Sequence, residues 1–184
     1  MTFCLVRTAR LNDCKALRAI HANADNAFSV PAGNDPDLCG LLASTLGRYP
    51  FLVAECNDSL VGYAYAQAHK APLALRWSVD ITVYMTREGR QAGMMRSLYR
   101  SLLEHLQAQG HLAVYAGLAV TDSQAIAAHE ALGFVHIGMG QALDLRGDME
   151  YWCLTLAGSA ESPGWRGAGL AGESGAAWAS AARR

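Results

Sequence analysis

Neither a charge excess nor a long apolar run is present in this sequence of 184 residues. It holds 15 Lys and Arg against 16 Asp and Glu, for a net charge of −1, and no stretch clusters cations along one face. Proteins that follow nucleic-acid phosphates need such a basic surface, so we expect small-molecule partners and no nucleic acid. No apolar segment approaches the roughly 20 residues that span a bilayer. The first residues, "MTFCLVRTARLNDC", lack the basic and apolar regions of a signal peptide, so we expect a cytoplasmic protein without a membrane partner.

Cysteine is scarce and scattered. The five cysteines form no C-x-x-C pair of the kind that indicates a zinc or redox centre, so we predict no metal site. We expect all five to be reduced and mostly buried as small apolar residues. They are Cys4, Cys14, Cys39, Cys56 and Cys153.

Hydrophobic periodicity predicts one domain over residues 1–157, in the order strand, two helices, three strands, helix, strand, helix and two strands. Asn12 or Asp13 is expected to cap the first helix and Asp35 the second, and Asn57-Asp58 indicates a hairpin turn. This order favours an α/β fold with a mixed sheet and helices on both faces. Residues 158–184, rich in Gly, Ala and Ser without a period, are predicted to be a disordered tail.

The stretch "WSVDITVYMTREGRQAGMMRSLY", residues 77–99, runs from an alternating strand through a short loop into a helix predicted over 92–109. The alternation places Val79 and Ile81 on a core face and leaves the opposite face, with Asp80, free for chemistry. A helix start has unpaired N–H groups, Gly93 permits close approach, and nearby arginines add positive charge. The loop is therefore either a pyrophosphate site or an ordinary connection with solvated arginines. It matches neither the ATP P-loop nor the dinucleotide pattern.

"RQAGMM", Arg90 to Met95, resembles the pyrophosphate loop [RQ]-x-x-G-x-[GA] of the GNAT superfamily of acyl-CoA N-acyltransferases, with a mismatch at Met95. A complete match, "RGAGLA" at 166–171, lacks the strand and helix that the motif requires. The segments "RYPFLVAE", "YAYAQAHKA", "WSVDITVYM", "LLEHLQAQG" and "HEALGF" resemble the phosphinothricin N-acetyltransferase family over most of residues 3–140. The resemblance implies a GNAT fold, a central mixed sheet flanked by helices, with acetyl-CoA as co-substrate and a possible homodimer.

The same resemblance assigns roles to individual residues. Asp80 stands where the family has a glutamate base, and its side chain, one methylene shorter, could act through a water, with a shifted substrate, or not at all. His129 matches a histidine implicated as second base or proton donor, although a lone inward histidine is more often a core residue. Lys70, Trp77 and Arg146 are candidates for substrate contacts. The residues expected to bind acetyl-CoA are Val83, Tyr84, Met85, Arg90, Gln91, Ala92, Gly93, Met94, Met95, Arg96 and Asp122, the last in place of a family asparagine.

The function implied is transfer of acetyl from acetyl-CoA directly to the primary amine of a small amino-acid-like substrate, with Asp80 as base and His129 as its partner. One alternative is a non-catalytic acyl-CoA-binding relative, which three departures from the family pattern favour: Asp80, Asp122 and Met95. The other is an acetyltransferase that acts on peptides or proteins.

Overall fold

The computed structural model describes residues 3–22, 27–29, 37–69, 77–119, 123–141 and 148–156. None of the helices in these ranges has the length and apolar character needed to cross a membrane. The helices are α1 Cys14–His21, α2 Leu38–Thr45, α3 Arg87–Gln91, α4 Met94–Ala108 and α5 Ser123–Ala131, with a 3-10 turn at Leu11–Asp13. The strands are β1 Cys4–Thr8, β2 Ala27–Ser29, β3 Phe51–Cys56, β4 Ser59–Ala68, β5 Ser78–Met85, β6 Ala113–Ala119, β7 Val135–Gln141 and β8 Asp148–Thr155.

The strands form one sheet in the order β1-β3-β4-β5-β6-β8-β7, with β2 paired to β5 off this path. The β5–β6 pair is parallel, and the other pairs are antiparallel. Helix α4 follows β5 and α3 in the chain. Its stripe of Leu98, Leu102 and Leu106 is buried in the core on one face of the sheet. Helices α1 and α2 pack Leu17 and Leu42 on the other face. The predicted mixed α/β sheet is confirmed.

The β3–β4 hairpin forms where the sequence predicts it. Asn57 and Asp58 have φ values of 49° and 62°, the left-handed backbone that Asn and Asp tolerate in two-residue hairpin turns. This turn fixes the register of β3 with β4, and β4 in turn pairs along β5 from Gly62↔Met85 to Ala68↔Val79. The local turn signal therefore fixes the hairpin, and the separate β4–β5 pairing determines which β4 residues lie beside β5.

Four details differ from the sequence prediction. Two short elements, β2 and α3, were not predicted, because three and five residues carry too little periodicity to register. Helix α4 begins at Met94 rather than Ala92, since α3 occupies the predicted loop. The residue that caps α2 is Asp37, whose carboxylate accepts from the Cys39 amide at 3.2 Å. Asp35 and the tail of residues 158–184 lie outside the described residues.

The expectation of five reduced cysteines is wrong for four of them. Cys4 and Cys56, direct neighbours on β1 and β3 with Cα atoms 4.2 Å apart, form a disulfide. A second disulfide joins Cys14 of α1 to Cys39 of α2, with Cα atoms 5.6 Å apart. Their separations of 52 and 25 residues give no local signal, so only the tertiary fold brings the pairs together. Cys153 is free.

Candidate active site

Strands β5 and β6 diverge from a short paired segment. They pair in parallel only at Ser78↔Ala113, Val79↔Val114 and Asp80↔Tyr115. Within the described residues, β5 then continues to Met85 and β6 to Ala119 without further pairing between them. Asp80 therefore lies at the last pair before the strands separate, where the gap between them begins.

Strand β2 pairs with part of the β5 edge that borders this gap. Because β4 pairs along one whole edge of β5, β2 and β6 must share the other. Ala27 pairs with Tyr84 and Ser29 with Val83, so β2 occupies the backbone groups at which the acyl-pantetheine arm was expected. Along this edge, β2 and such a ligand would compete for the same hydrogen-bonding positions.

The sheet face that carries Asp80 is only partly open. A row of half-buried side chains crosses four strands here: Gln67, Asp80, Tyr115 and Cys153. Elsewhere on β5 the expectation of a face free for chemistry is wrong, because Thr82 and Tyr84 are buried at 1% and 6% exposure. Ser78 is buried as well. Asp80 is thus the β5 residue of this face that solvent reaches.

Asp80 is hydrogen-bonded to a histidine that sequence reasoning missed. His69 Nδ1 lies 2.5 Å from Asp80 Oδ1, and both side chains are 24% exposed. The imidazole also stacks on Tyr115, with ring centroids 4.5 Å apart and an interplanar angle of 19°. His69 stands within "YAYAQAHKA", a segment quoted for its family likeness. The pairing of Gln67 with Asp80 across the sheet is the signal that could have placed His69 near the site.

Three weakly acidic groups surround this pair. Burial raises the pKa of the Tyr115 hydroxyl, and the neighbouring Cys153 raises it further. Burial likewise raises the pKa of the Tyr151 hydroxyl and of the Cys153 thiol, and the Asp80 charge raises that of Tyr151 further. All three groups are therefore neutral near pH 7, and the charge in this part of the described structure is that of Asp80.

His129 lies in the opposite core. It is fully buried on α5, with Nδ1 2.8 Å from the Ala125 carbonyl oxygen and Nε2 2.8 Å from the Tyr99 hydroxyl. Since a carbonyl only accepts, Nδ1 carries the proton and the Tyr99 O–H donates to Nε2. Tyr99 belongs to the core cluster packed on the Val79 face of β5, whereas Asp80 points the other way. The structure does not bring Asp80 and His129 together, so the expected partnership is replaced by His69–Asp80.

The strand-to-helix junction has the geometry of an anion site. Thr86 caps α3 by accepting from the Gly89 amide at 3.2 Å, and α4 then starts at Gly93, whose φ is 70°. Among the described residues, no atom beyond Gly93 and its chain neighbours lies within 4 Å of where a Cβ on Gly93 would stand, so the backbone there is open to a ligand. The first amides of α4 lack acceptors within the helix, and its dipole adds partial positive charge.

The side chains of Met94 and Met95 pack toward the core and do not cover the start of α4. Met94 is buried at 6% exposure, and Met95 is half-buried against the same core. Gln91, Ala92 and Arg96 are exposed around the α4 start. The Met95 side chain, which is larger than the residue of the family motif, therefore packs at least partly against the core.

Arg90 ties the junction to the end of β5, because its Nη1 donates to the Met85 carbonyl at 2.9 Å. It also lines a cavity of about 790 Å³ between α3, α1 and the β3–β4 hairpin. The Asp80 row does not line that cavity, which is therefore separate from the His69–Asp80 pair. Trp77 is 49% exposed beside the start of β5. Lys70, Asp122 and Arg146 lie outside the described residues.

Parallel strands that diverge beside an open helix start are compatible with the acyl-CoA site that the GNAT resemblance implies. Residues 6–143 match the family model described as the acetyltransferase (GNAT) domain. This chain belongs to that family, and its relatives are N-acetyltransferases, as the resemblance implied.

Three relatives illustrate the similarity. A phosphinothricin N-acetyltransferase of Streptomyces viridochromogenes is 38% identical over 91 residues, half of each chain. Its counterpart from Alcaligenes faecalis is 28% identical over 142 residues, 74% of this chain and 72% of that one. The L-amino acid N-acyltransferase MnaT of Escherichia coli is 29% identical over 137 residues, 71% of this chain and 78% of MnaT.

Solved structures share the fold. A GNAT superfamily phosphinothricin acetyltransferase from Sinorhizobium meliloti, in complex with acetyl-CoA, superposes with a TM-score of 0.73 at 24% identity, over 88% of this chain and 93% of that one. The acetyltransferase yncA from Salmonella typhimurium, with acetyl-CoA, gives 0.72 at 22% identity, over 87% and 98%. The predicted GNAT fold is confirmed.

Proposed function

We propose that this protein transfers acetyl from acetyl-CoA directly to the primary amine of a small amino-acid-like substrate. The observation that carries the proposal is the position of Asp80, a partly exposed carboxylate at the last β5–β6 pair before the strands diverge. An acyl donor lying in the gap would present its carbonyl near this residue. An ammonium group in the open half of the same face would meet a negative charge and a proton acceptor.

The α4 start fits the pyrophosphate of acetyl-CoA. The amides of Met94, Met95 and Arg96 supply donors, and Gly93 leaves the approach open. The acyl-pantetheine arm would then run along Val83 and Tyr84 toward Asp80, which requires β2 to leave that edge of β5. Coenzyme A supplies a thioester whose thiolate is a good leaving group, and the chain supplies donors, a proton acceptor and alignment.

The amine must be a free base before it can attack the thioester carbonyl. The Asp80 carboxylate attracts the ammonium form to the donor, and a basic group of the site must accept the proton there. The nitrogen then bonds to the carbonyl carbon as the C–S bond breaks, and the products are the acetylated amine, CoA thiol and one proton. His129 stabilises the core between α4 and α5 in this proposal, because both its ring nitrogens are engaged and it is fully buried.

The activities for which the relatives are named support an amino-acid-like acceptor. They are phosphinothricin N-acetyltransferases, an L-amino acid N-acyltransferase and an L-methionine sulfoximine/L-methionine sulfone acetyltransferase of Salmonella typhimurium. The exposed Trp77 lies one residue from β5 and is a candidate pocket wall.

Thiol release from acetyl-CoA, with mass spectrometry of the acetylated amine, tests the proposal on amino acids, phosphinothricin, methionine sulfoximine, methionine sulfone and short peptides. We expect turnover on at least one small amino acid-like amine. Asp80→Asn should lose most of it, while Glu104→Gln, on an exposed position of α4, should not. Tight acetyl-CoA binding without turnover on any amine would favour the non-catalytic relative, and turnover on peptides alone would favour the peptide N-acetyltransferase.

A further inference from the structure

The contact between Asp80 and His69 determines which ring nitrogen carries the proton in the neutral imidazole. His69 Nδ1 lies 2.5 Å from the carboxylate oxygen, and an ionised carboxylate only accepts, so Nδ1 carries the ring proton. The lone pair of the neutral ring is therefore on Nε2. No hydrogen-bond partner for Nε2 is present in the described part of the chain, and the His69 side chain is 24% exposed.

We propose that His69 is the group that takes the proton from the acceptor amine, and that Asp80 is the residue that positions and polarises it. The inference rests on the proposed acetyl transfer and assigns the proton in that same site. Asp80 fixes the tautomer and the direction of the ring, and its charge stabilises the imidazolium that forms when Nε2 is protonated. The stacked Tyr115 ring holds the imidazole plane.

The length of the side chain favours His69 over Asp80 as the group that accepts the proton. The Asp80 carboxylate has a short side chain and one oxygen already bonded to His69. In the imidazole, the nitrogen that faces Asp80 is Nδ1, so the basic atom Nε2 lies on the side of the ring away from the bonded carboxylate oxygen. A side chain one methylene too short to act as base in the family manner is thereby extended by its neighbour.

The charges around His69 suit this role. The groups that face the pair from β6 and β8 are the hydroxyls of Tyr115 and Tyr151 and the thiol of Cys153, all of which burial keeps neutral near pH 7. In the described residues, Asp80 is thus the charge that acts on the ring. No nearby cation in these ranges opposes protonation of Nε2.

Each acetyl transfer releases one proton to solvent. His69 Nε2 accepts one proton from the ammonium, and the amine lone pair forms the N–C bond to the acetyl carbonyl carbon. The C–S bond breaks with its electron pair on sulfur. The nitrogen loses its second proton as the amide forms, the thiolate takes up one proton, and the other leaves to solvent, so that His69 returns to its neutral form.

The test is chemical rescue by added imidazole, followed by acetylation kinetics on an amine that the wild-type protein acetylates. His69→Ala should lose about 10²–10⁴-fold in kcat, the usual contribution of a general base, while its affinity for acetyl-CoA is unchanged. Imidazole should restore activity in proportion to its concentration, and more basic methylimidazoles should restore more. His69→Phe keeps a ring against Tyr115 but no basic atom, so it should be inactive and not rescued.

His105→Ala, on the exposed side of α4, is the matched control and should change neither activity nor the response to imidazole. Asp80→Asn added to His69→Ala should cost little more than His69→Ala alone, since a positioning residue acts through the group it positions. Activity of folded His69→Ala within threefold of wild type, or a loss that imidazole does not reverse, would overturn the assignment while leaving the acetyl transfer intact. Absence of wild-type turnover would instead overturn the transfer and this inference with it. Thermal melts establish that each variant is folded.

Discussion

The buried contact between Tyr99 and His129 predicts a structural rather than a chemical role for this histidine. Tyr99→Phe removes the hydroxyl that lies 2.8 Å from the buried His129 Nε2, and the loss of this hydrogen bond costs about 1–3 kcal/mol. His129→Leu leaves the fully buried Tyr99 hydroxyl unpaired at a similar cost, whereas the Ala125 carbonyl keeps its helical acceptor role. Burial raises the pKa of Tyr99 well above its ordinary value, so the hydroxyl stays neutral and needs a partner.

The double variant removes both polar groups and leaves an apolar contact. We expect it to be destabilised by about 2 kcal/mol rather than the sum of about 4, a coupling of about 2 kcal/mol between contacting groups. Urea unfolding with a constant m-value measures each free energy, and kcat/KM is measured on the same samples. If the free-energy costs of the two single variants simply add in the double variant, the structural role of His129 is refuted. A His129→Leu variant of wild-type stability with at least a hundredfold lower kcat would refute it more directly, because the histidine would then act in the chemistry.

Three further predictions concern the acetyl-CoA site and the stability of the fold. Met95→Gly should lower the free energy of unfolding by about 1–3 kcal/mol, through lost burial and helix propensity, and should not tighten acetyl-CoA binding in titration calorimetry; tighter binding would mean that the methionine obstructs the pyrophosphate. Acetyl-CoA should increase hydrogen exchange at the amides of β2, because the acyl-pantetheine arm takes its place along β5, and unchanged or slower exchange would place the arm elsewhere. The Arg7 guanidinium lowers the pKa of Asp13 below its ordinary 3.8, so this stabilisation is fully present above that value and is lost as the pH falls through the lower, folded-state pKa. Urea midpoints below pH 4 should therefore fall less steeply for Asp13→Asn than for wild type, and parallel curves would contradict the assignment.

The sequence predicts the elements that have strong periods and clear ends. The α4 stripe of Leu98, Leu102 and Leu106 repeats at helical spacing and ends near Gly110, whose φ is 82°. The hairpin at Asn57-Asp58 follows from turn chemistry alone. By contrast, β2 is stabilised by pairing with β5 and has no period of its own, so only the assembled sheet defines it.

Some residues of the candidate site could be predicted from the sequence and others could not, for a related reason. A motif on one segment, such as Arg90 to Met95, can be found by its spacing, and Asp80 stood out as a carboxylate in mid-strand. His69 and Asp80 lie 11 residues apart, and their contact depends on the β4–β5 register. His129 showed the opposite case, since its inward position was predicted but its hydrogen bond to Tyr99 depends on how α5 packs against α4.

The departures from the family pattern are related through the packing. A shorter carboxylate at position 80 would leave a gap between base and amine if nothing else changed. The structure places an imidazole against that carboxylate, with its ring face stacked on Tyr115, so that Nε2 is available as a second basic atom beside Asp80. Met95 likewise directs its bulk toward the core while its amide remains at the helix start. Together with Asp122, these two departures favoured a non-catalytic relative; with the neighbours of Asp80 and Met95 included, these two are compatible with a site that binds acetyl-CoA and moves a proton.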